Sequence, residues 1–142
     1  MVAADGGARL ADALGLPIHR WVGDGDSLGE AGLAELRRRG VPIELASPDK
    51  DESDTELGLL AAVGAGARRV TIIGALGGPR PDHALANIAL LGHPAAAECE
   101  LQILDPTARI RLLHGASGRL DLAGRVGDLV SLIPLEAVTG VT

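Results

Sequence analysis

Paired carboxylates after short apolar runs are the residues of this chain most suited to chemistry. Gly23-Asp24-Gly25-Asp26-Ser27 places two of them at i and i+2, between glycines that permit a tight turn. Such a pair can share one hard cation. An Asp-Gly turn with Ser27 or Asp26 as a helix cap would leave the same pattern. A second acidic stretch, Ser47-Pro-Asp-Lys-Asp-Glu-Ser-Asp54, gathers Asp49, Asp51 and Asp54 around Lys50, the single lysine among 13 basic residues. A favourable helix cap accounts for one of these carboxylates but not for three. A divalent cation and phosphate oxygens would balance both signs at once. Lys50 is therefore expected to act on a nucleotide rather than on stability.

Two further loops carry polar groups. In Ala4-Asp5-Gly6-Gly7-Ala8 the glycines let backbone amides approach an anion at a helix start, although a plain helix-entry turn reads the same way. In the loop from Gly74 to His83, Arg80 offers a fork for phosphate, while Asp82 and His83 offer a carboxylate and an imidazole at the same rim, with Asn87 following. Each has a structural use as well: Asp82 as a cap, His83 as a surface residue, Asn87 as a polar spot on a helix. His19, His93 and His114 show no metal-ligand spacing and are read as structural or exposed.

The elements that must position these loops follow from the hydrophobic pattern. Short apolar runs alternate with segments of helical period, which implies parallel strands joined by crossover helices, an α/β fold with an open, mostly parallel sheet. Strands are expected at 2–4, 20–22, 43–46, 70–74 and 101–104. Helices are expected at 8–14, 28–39, 54–65 and 82–91, with Leu57, Leu60 and Ala61 inward on the third and Leu85, Ile88 and Ala89 inward on the fourth. In such a sheet the binding crevice lies beyond the carboxyl ends of the strands, where the four loops fall. After Pro106 the helical period stops. Short runs at 109–113, 119–122 and 129–133, separated by glycine-containing turns, predict the start of an all-β, sandwich-type region. The expected division is an α/β catalytic, nucleotide-binding domain over 1–105 and an incomplete β-rich domain over 106–142. Both ends read as cut, and the strands of the tail are expected to seek partners by self-association.

Composition removes several function classes. The 142 residues carry a net charge of -6, so no broad positive field exists to attract nucleic acid or anionic lipid. Trp21 is the only aromatic residue, which leaves no stacking platform for single-stranded nucleic acid and makes the core aliphatic. Cys99 stands alone, which excludes an intramolecular disulfide and a cysteine-based zinc site and fits a reducing cytoplasm. No long apolar run or basic-then-apolar leader is present.

Five motifs in order resemble the thiamine pyrophosphokinase family: Ala-Asp-Gly-Gly-Ala at 4–8, Gly-Asp-x-Asp-Ser at 23–27, Lys-Asp-x-Ser-Asp-Thr-Glu-Leu at 50–57, Arg-x-Asp-His-x-Leu-Ala-Asn at 80–87 and Gly-Asp-x-Val-Ser-Leu-Ile-Pro-Leu at 127–135. The resemblance implies a homodimeric, cytoplasmic enzyme that uses Mg²⁺ and moves pyrophosphate from ATP to the thiamine hydroxyl, giving thiamine diphosphate and AMP, with the β-rich region helping to bind thiamine. It implies Asp24, Asp26 and Asp54 as metal ligands. Lys50 and Arg80 would face the triphosphate, Asp5, Gly6 and Gly7 the nucleotide, and His83 and Asn87 the rim where substrate meets phosphate. Asp82 or Asp51 would serve as base. Two departures fall in the motifs, Gly25 where the family usually has Phe and Pro79 between Gly78 and Arg80. Two other readings stay open: a phosphohydrolase with Asp24 as nucleophile and Asp26 as general acid, and a non-catalytic nucleotide-binding relic of the kinase.

Overall fold

The computed structural model describes residues 1–114 and 118–139. They form two compact units, Met1–Leu112 and Leu113–Thr142. In the first unit the elements run β1 (Val2–Ala4), α1 (Gly7–Ala13), β2 (Arg20–Gly23), α2 (Gly29–Arg38), β3 (Ile43–Leu45), α3 (Asp54–Gly64), β4 (Arg69–Ile73), α4 (Pro81–Ala89), two short 3₁₀ turns (Leu90–Gly92 and Pro94–Ala96), β5 (Glu100–Leu104) and β6 (Arg109–Arg111). The α/β alternation read from the hydrophobic period is present, with helix and strand ends displaced by a residue or so.

The strands form two sheets of three rather than one continuous sheet. In the first, β2 lies between β1 and β3, and both pairings are parallel, with Ala4 opposite Val22 and Gly23 opposite Leu45. All three strands therefore end on the same side. Asp5, Asp24 and the 46–53 loop leave from that side. In the second sheet β4 runs parallel to β5, and β6 returns antiparallel along β5 with Ile103 opposite Ile110. The antiparallel return places 109–111 in the first unit, so the observed boundary falls after Leu112.

With one aromatic residue available, the core is aliphatic around an indole. Trp21 is fully buried among Ala3, Ala8, Ala11, Leu33 and Leu36, where alanines on α1 let that helix lie close to β1. Smaller clusters form around Leu59 with Leu90, and around Ile103 with Ala75 and Leu91. α3 lies over β1 and β2. Its Ser53 Oγ accepts the Glu56 amide at 3.2 Å, closing the first turn.

Two helix faces differ from the expected ones. On α3 the buried residue is Leu59, while Leu57, Leu60 and Ala61 are half-buried, because the helix is covered on two sides by β1/β2 and by the 3₁₀ turn at 94–96. On α4, Leu85 is 68% exposed and Ala89 is exposed, whereas Asn87 is buried. The Asn87 amide donates to the Ala75 carbonyl at 2.8 Å, and a helix rotated to make that bond carries Leu85 outward.

In the second unit no helix or strand forms among the described residues, so the runs at 119–122 and 129–133 are not strands here. The Arg119 guanidinium donates to Asp121, and Asp128 accepts the Arg125 amide at 2.7 Å. Apolar period alone does not make a strand, because the ladder bonds must come from a neighbour.

Candidate functional site

The site is built at the carboxyl ends of β1, β2 and β3. Asp5 is the first residue after β1 and is only 5% exposed. Its amide donates to the Val22 carbonyl at 2.8 Å, and its own carbonyl accepts the Trp21 indole N–H at 3.0 Å and the Ala8 amide at 3.1 Å. Its φ of 35° is the one positive value for a non-glycine residue among the described residues. One carboxylate oxygen, Oδ1, is buried and makes no hydrogen bond. Gly23 makes room for this arrangement. At its φ of 149° a Cβ would stand 2.9 Å from the Asp5 Cβ.

After β2 the chain turns so that the Asp26 amide donates to Asp24 Oδ1 at 3.0 Å, while the Ser27 hydroxyl donates to Asp26 at 2.9 Å. The Arg9 guanidinium holds the Ser27 carbonyl at 2.7 Å and ties this loop to α1. Ligand oxygens of Asp5, Asp24 and Asp26 all lie within 4.8 Å of one another. The loop after β3 brings in Lys50, whose Nζ donates to Asp24 Oδ2 at 3.3 Å and stands 3.1 Å from Asp54 Oδ1. The second contact is an ion pair without hydrogen-bond alignment, so Asp54 Oδ1 is, like Asp5 Oδ1, a buried carboxylate oxygen with no hydrogen bond.

Two of these carboxylates, Asp24 and Asp54, pair with the one ammonium, and Asp24 also lies with Asp5 and Asp26. The Asp26 amide, more than Lys50, holds Asp24 below the ordinary carboxylate range against the opposing effect of burial. Burial pushes Asp54 up and outweighs the attraction of Lys50, with the charges of Asp24 and Asp5 adding to the rise. Burial pulls Lys50 down, but its contacts with the Asp54 and then the Asp24 carboxylates hold it above its ordinary value. Lys50 therefore stays an ammonium, and its side chain is only 13% exposed. Within the chain Lys50 is the counter-ion of two carboxylates, Asp24 and Asp54.

The 74–80 loop stands differently. Arg80 forms a bidentate pair with Asp82, both side chains largely exposed. That pairing, led by the hydrogen bond, keeps Asp82 below its ordinary range. His83 and Asp51 are exposed. Asn87 is spent on the Ala75 carbonyl, so its amide shapes the loop from beneath. The structure therefore groups Asp5, Asp24, Asp26, Lys50 and Asp54, and pairs Arg80 with Asp82 separately. Gly6 and Gly7 open α1, where the Arg9 amide bonds the Gly6 carbonyl at 3.0 Å.

The carboxylate of Asp5, expected to face the nucleotide, lies with those of Asp24 and Asp26. A carboxylate directly at the end of a first parallel strand was the available signal. Trp21, noted in the sequence only as the single aromatic residue, donates its indole N–H to the Asp5 carbonyl. His93, read as structural or exposed, has Nε2 3.3 Å from Glu56 Oε1 on the first turn of α3.

Residues 1–103 match the family described as thiamin pyrophosphokinase, catalytic domain. A thiamin pyrophosphokinase family protein from Enterococcus faecalis is 32% identical and superposes with a TM-score of 0.70, over 78% of this chain and 53% of that one. Thiamine pyrophosphokinase from Bacillus subtilis is 25% identical with a TM-score of 0.66, over 78% and 51%. A probable thiamine pyrophosphokinase from Staphylococcus saprophyticus is 28% identical with a TM-score of 0.59, over 78% and 55%. The chain spans about half the length of these solved structures. No curated protein sequence matches it. No described helix is long and apolar enough to cross a membrane. Fold, motif order and the family match over the α/β part agree, and the chain belongs to the thiamin pyrophosphokinase family.

Proposed function

We propose that the chain carries the nucleotide- and metal-binding part of an ATP:thiamine diphosphotransferase, which makes thiamine diphosphate and AMP. The observation that carries the reading is the cluster of Asp5, Asp24 and Asp26, joined through Asp24 to Lys50 and Asp54, at the ends of three parallel strands. The donor set fits Mg²⁺. It is all carboxylate oxygen, closely spaced, and Asp5 Oδ1 lacks a hydrogen bond. Asp5, Asp24 and Asp26 would hold the ion, with Asp54 as a further carboxylate beside Lys50. When bound, Mg²⁺ supplies charge neutralisation for phosphate oxygens.

The chain's own groups do the rest by position and charge. Lys50, held protonated by Asp54 and Asp24, offers a fixed ammonium to the triphosphate. Arg80 is exposed and can exchange Asp82 for a phosphate oxygen, an equally good acceptor for its fork. That exchange frees Asp82 as a base for the thiamine hydroxyl, with exposed Asp51 as the alternative. His83 lies beside Asp82 on the rim. The residues after Leu112 are read as part of the thiamine-binding region, and the working form as a cytoplasmic homodimer.

A phosphohydrolase with Asp24 as nucleophile is disfavoured by the match of residues 1–103 to the thiamin pyrophosphokinase catalytic domain. Product analysis with Mg-ATP and thiamine tests the assignment. AMP with thiamine diphosphate is expected. ADP or free phosphate as the nucleotide-linked product, or no Mg-ATP binding in calorimetry, would overturn it.

A further inference from the structure

Resting on the metal reading of the carboxylate cluster, we propose that Trp21 is a positioning residue of that site. Its indole N–H fixes the Asp5 peptide in the left-handed conformation that presents the Asp5 carboxylate to Asp24 and Asp26. Trp21 is fully buried on the central strand β2, and a buried indole needs an acceptor for its single N–H. The acceptor is the carbonyl of Asp5, at 3.0 Å, the residue with φ of 35°. A non-glycine residue in that region persists only where its surroundings hold it.

The Asp5 bonds are divided in a telling way. Its backbone is fully engaged, with the amide on Val22 and the carbonyl on Trp21 and Ala8, while its buried carboxylate oxygen Oδ1 is left without a hydrogen bond. A residue that presents a ligand atom needs this division: a fixed main chain and a free oxygen. The same indole also lies beneath the second loop, since a Cβ on Gly25 would stand 3.8 Å from its Cη2. One ring therefore supports the backbone from which Asp5 projects and floors the turn that carries Asp24 and Asp26. Groups that orient a metal ligand commonly change metal affinity by about tenfold or more when removed.

The experiment replaces Trp21 by benzothienylalanine, in which sulfur takes the place of the indole N–H at nearly constant shape, and by fluorotryptophan, which keeps the donor. Trp21→Phe provides a genetically encoded version. Mn²⁺ affinity is read by electron paramagnetic resonance on the metal-free chain, and amide hydrogen exchange is read at Asp5. The benzothienyl variant is expected to bind Mn²⁺ about tenfold more weakly and to exchange the Asp5 amide several-fold faster, while the Ile103 amide exchanges as before and fluorotryptophan restores both. Parent-like Mn²⁺ affinity in the benzothienyl variant overturns the proposal, whatever the exchange shows. If the parent itself binds no Mn²⁺, or binds it as Asp24→Asn does, the metal reading falls; the exchange at Asp5 then decides the indole's hold on the peptide, and unchanged exchange overturns it.

Discussion

Replacing Lys50 by Met leaves a stem of similar length but removes the positive charge shared by Asp24 and Asp54. The side chains of Lys50, Asp24 and Asp54 are 13%, 18% and 29% exposed, so the group is neither a deep pair nor a surface one. Breaking a deep pair costs about 3–5 kcal/mol, and an exposed pair is worth about 0–1 kcal/mol. A loss of about 1–3 kcal/mol follows for this intermediate case. At roughly 3–4 °C per kcal/mol for a chain of this size, Tm at pH 7 should fall by about 3–12 °C.

The pH dependence gives the sharper test. Asp54 already has a folded pKa raised above the ordinary 3.8, chiefly by burial, and Lys50 is the main group opposing the rise. Without Lys50 it rises further. A raised folded pKa contributes stability below 3.8 that is lost as pH climbs through the folded value, so the variant's deficit opens on that climb and narrows on acidification. Asp24, with a lowered pKa, contributes stability above 3.8 that is lost as pH falls through its folded value, and the Lys50 share of that contribution is missing in the variant. Thermal melts by circular dichroism at pH 7 and at about pH 4.5 should show a large deficit and then a smaller one. Mg²⁺ should raise the variant's Tm more than the parent's, because a cation replaces the lost ammonium. An unchanged Tm at pH 7, or a deficit independent of pH, would refute the reasoning.

Two other substitutions separate binding from stability. Asp5→Asn removes one buried charge from a like-charged cluster at constant shape, so the metal-free Tm should rise by a few degrees while the Mg²⁺-induced shift disappears; a lower Tm with the shift retained counts against Asp5 as a ligand. Gly23→Ala would set a Cβ 2.9 Å from that of Asp5 at a φ of 149°, which should destabilise by about 2–4 kcal/mol in urea titration and weaken Mn²⁺ binding together, and a neutral result would contradict the close approach of the two loops.

The alternation of strand and helix was legible in the sequence because period and turn chemistry are encoded in near neighbours. The glycines and aspartates at 23–27 and the acidic run around Lys50 already pointed to cation and phosphate chemistry, since few other uses gather such charge at strand ends. Contacts between distant segments were not legible. Asp5 joins Asp24 only through the parallel register of β1 on β2, which aligns two residues far apart in the chain. Asn87 turns inward, and Leu85 outward, because a carbonyl at Ala75 requires a donor that no periodicity reveals. The runs at 119–122 and 129–133 have strand-like alternation, but a strand is a property of a pair, and no strand is formed there among the described residues. Lys50 could be picked out by its isolation among carboxylates. Only the folded loop decides that Asp24 and Asp54 share it, because the strength of a charge pair depends on distance and on the water excluded around it.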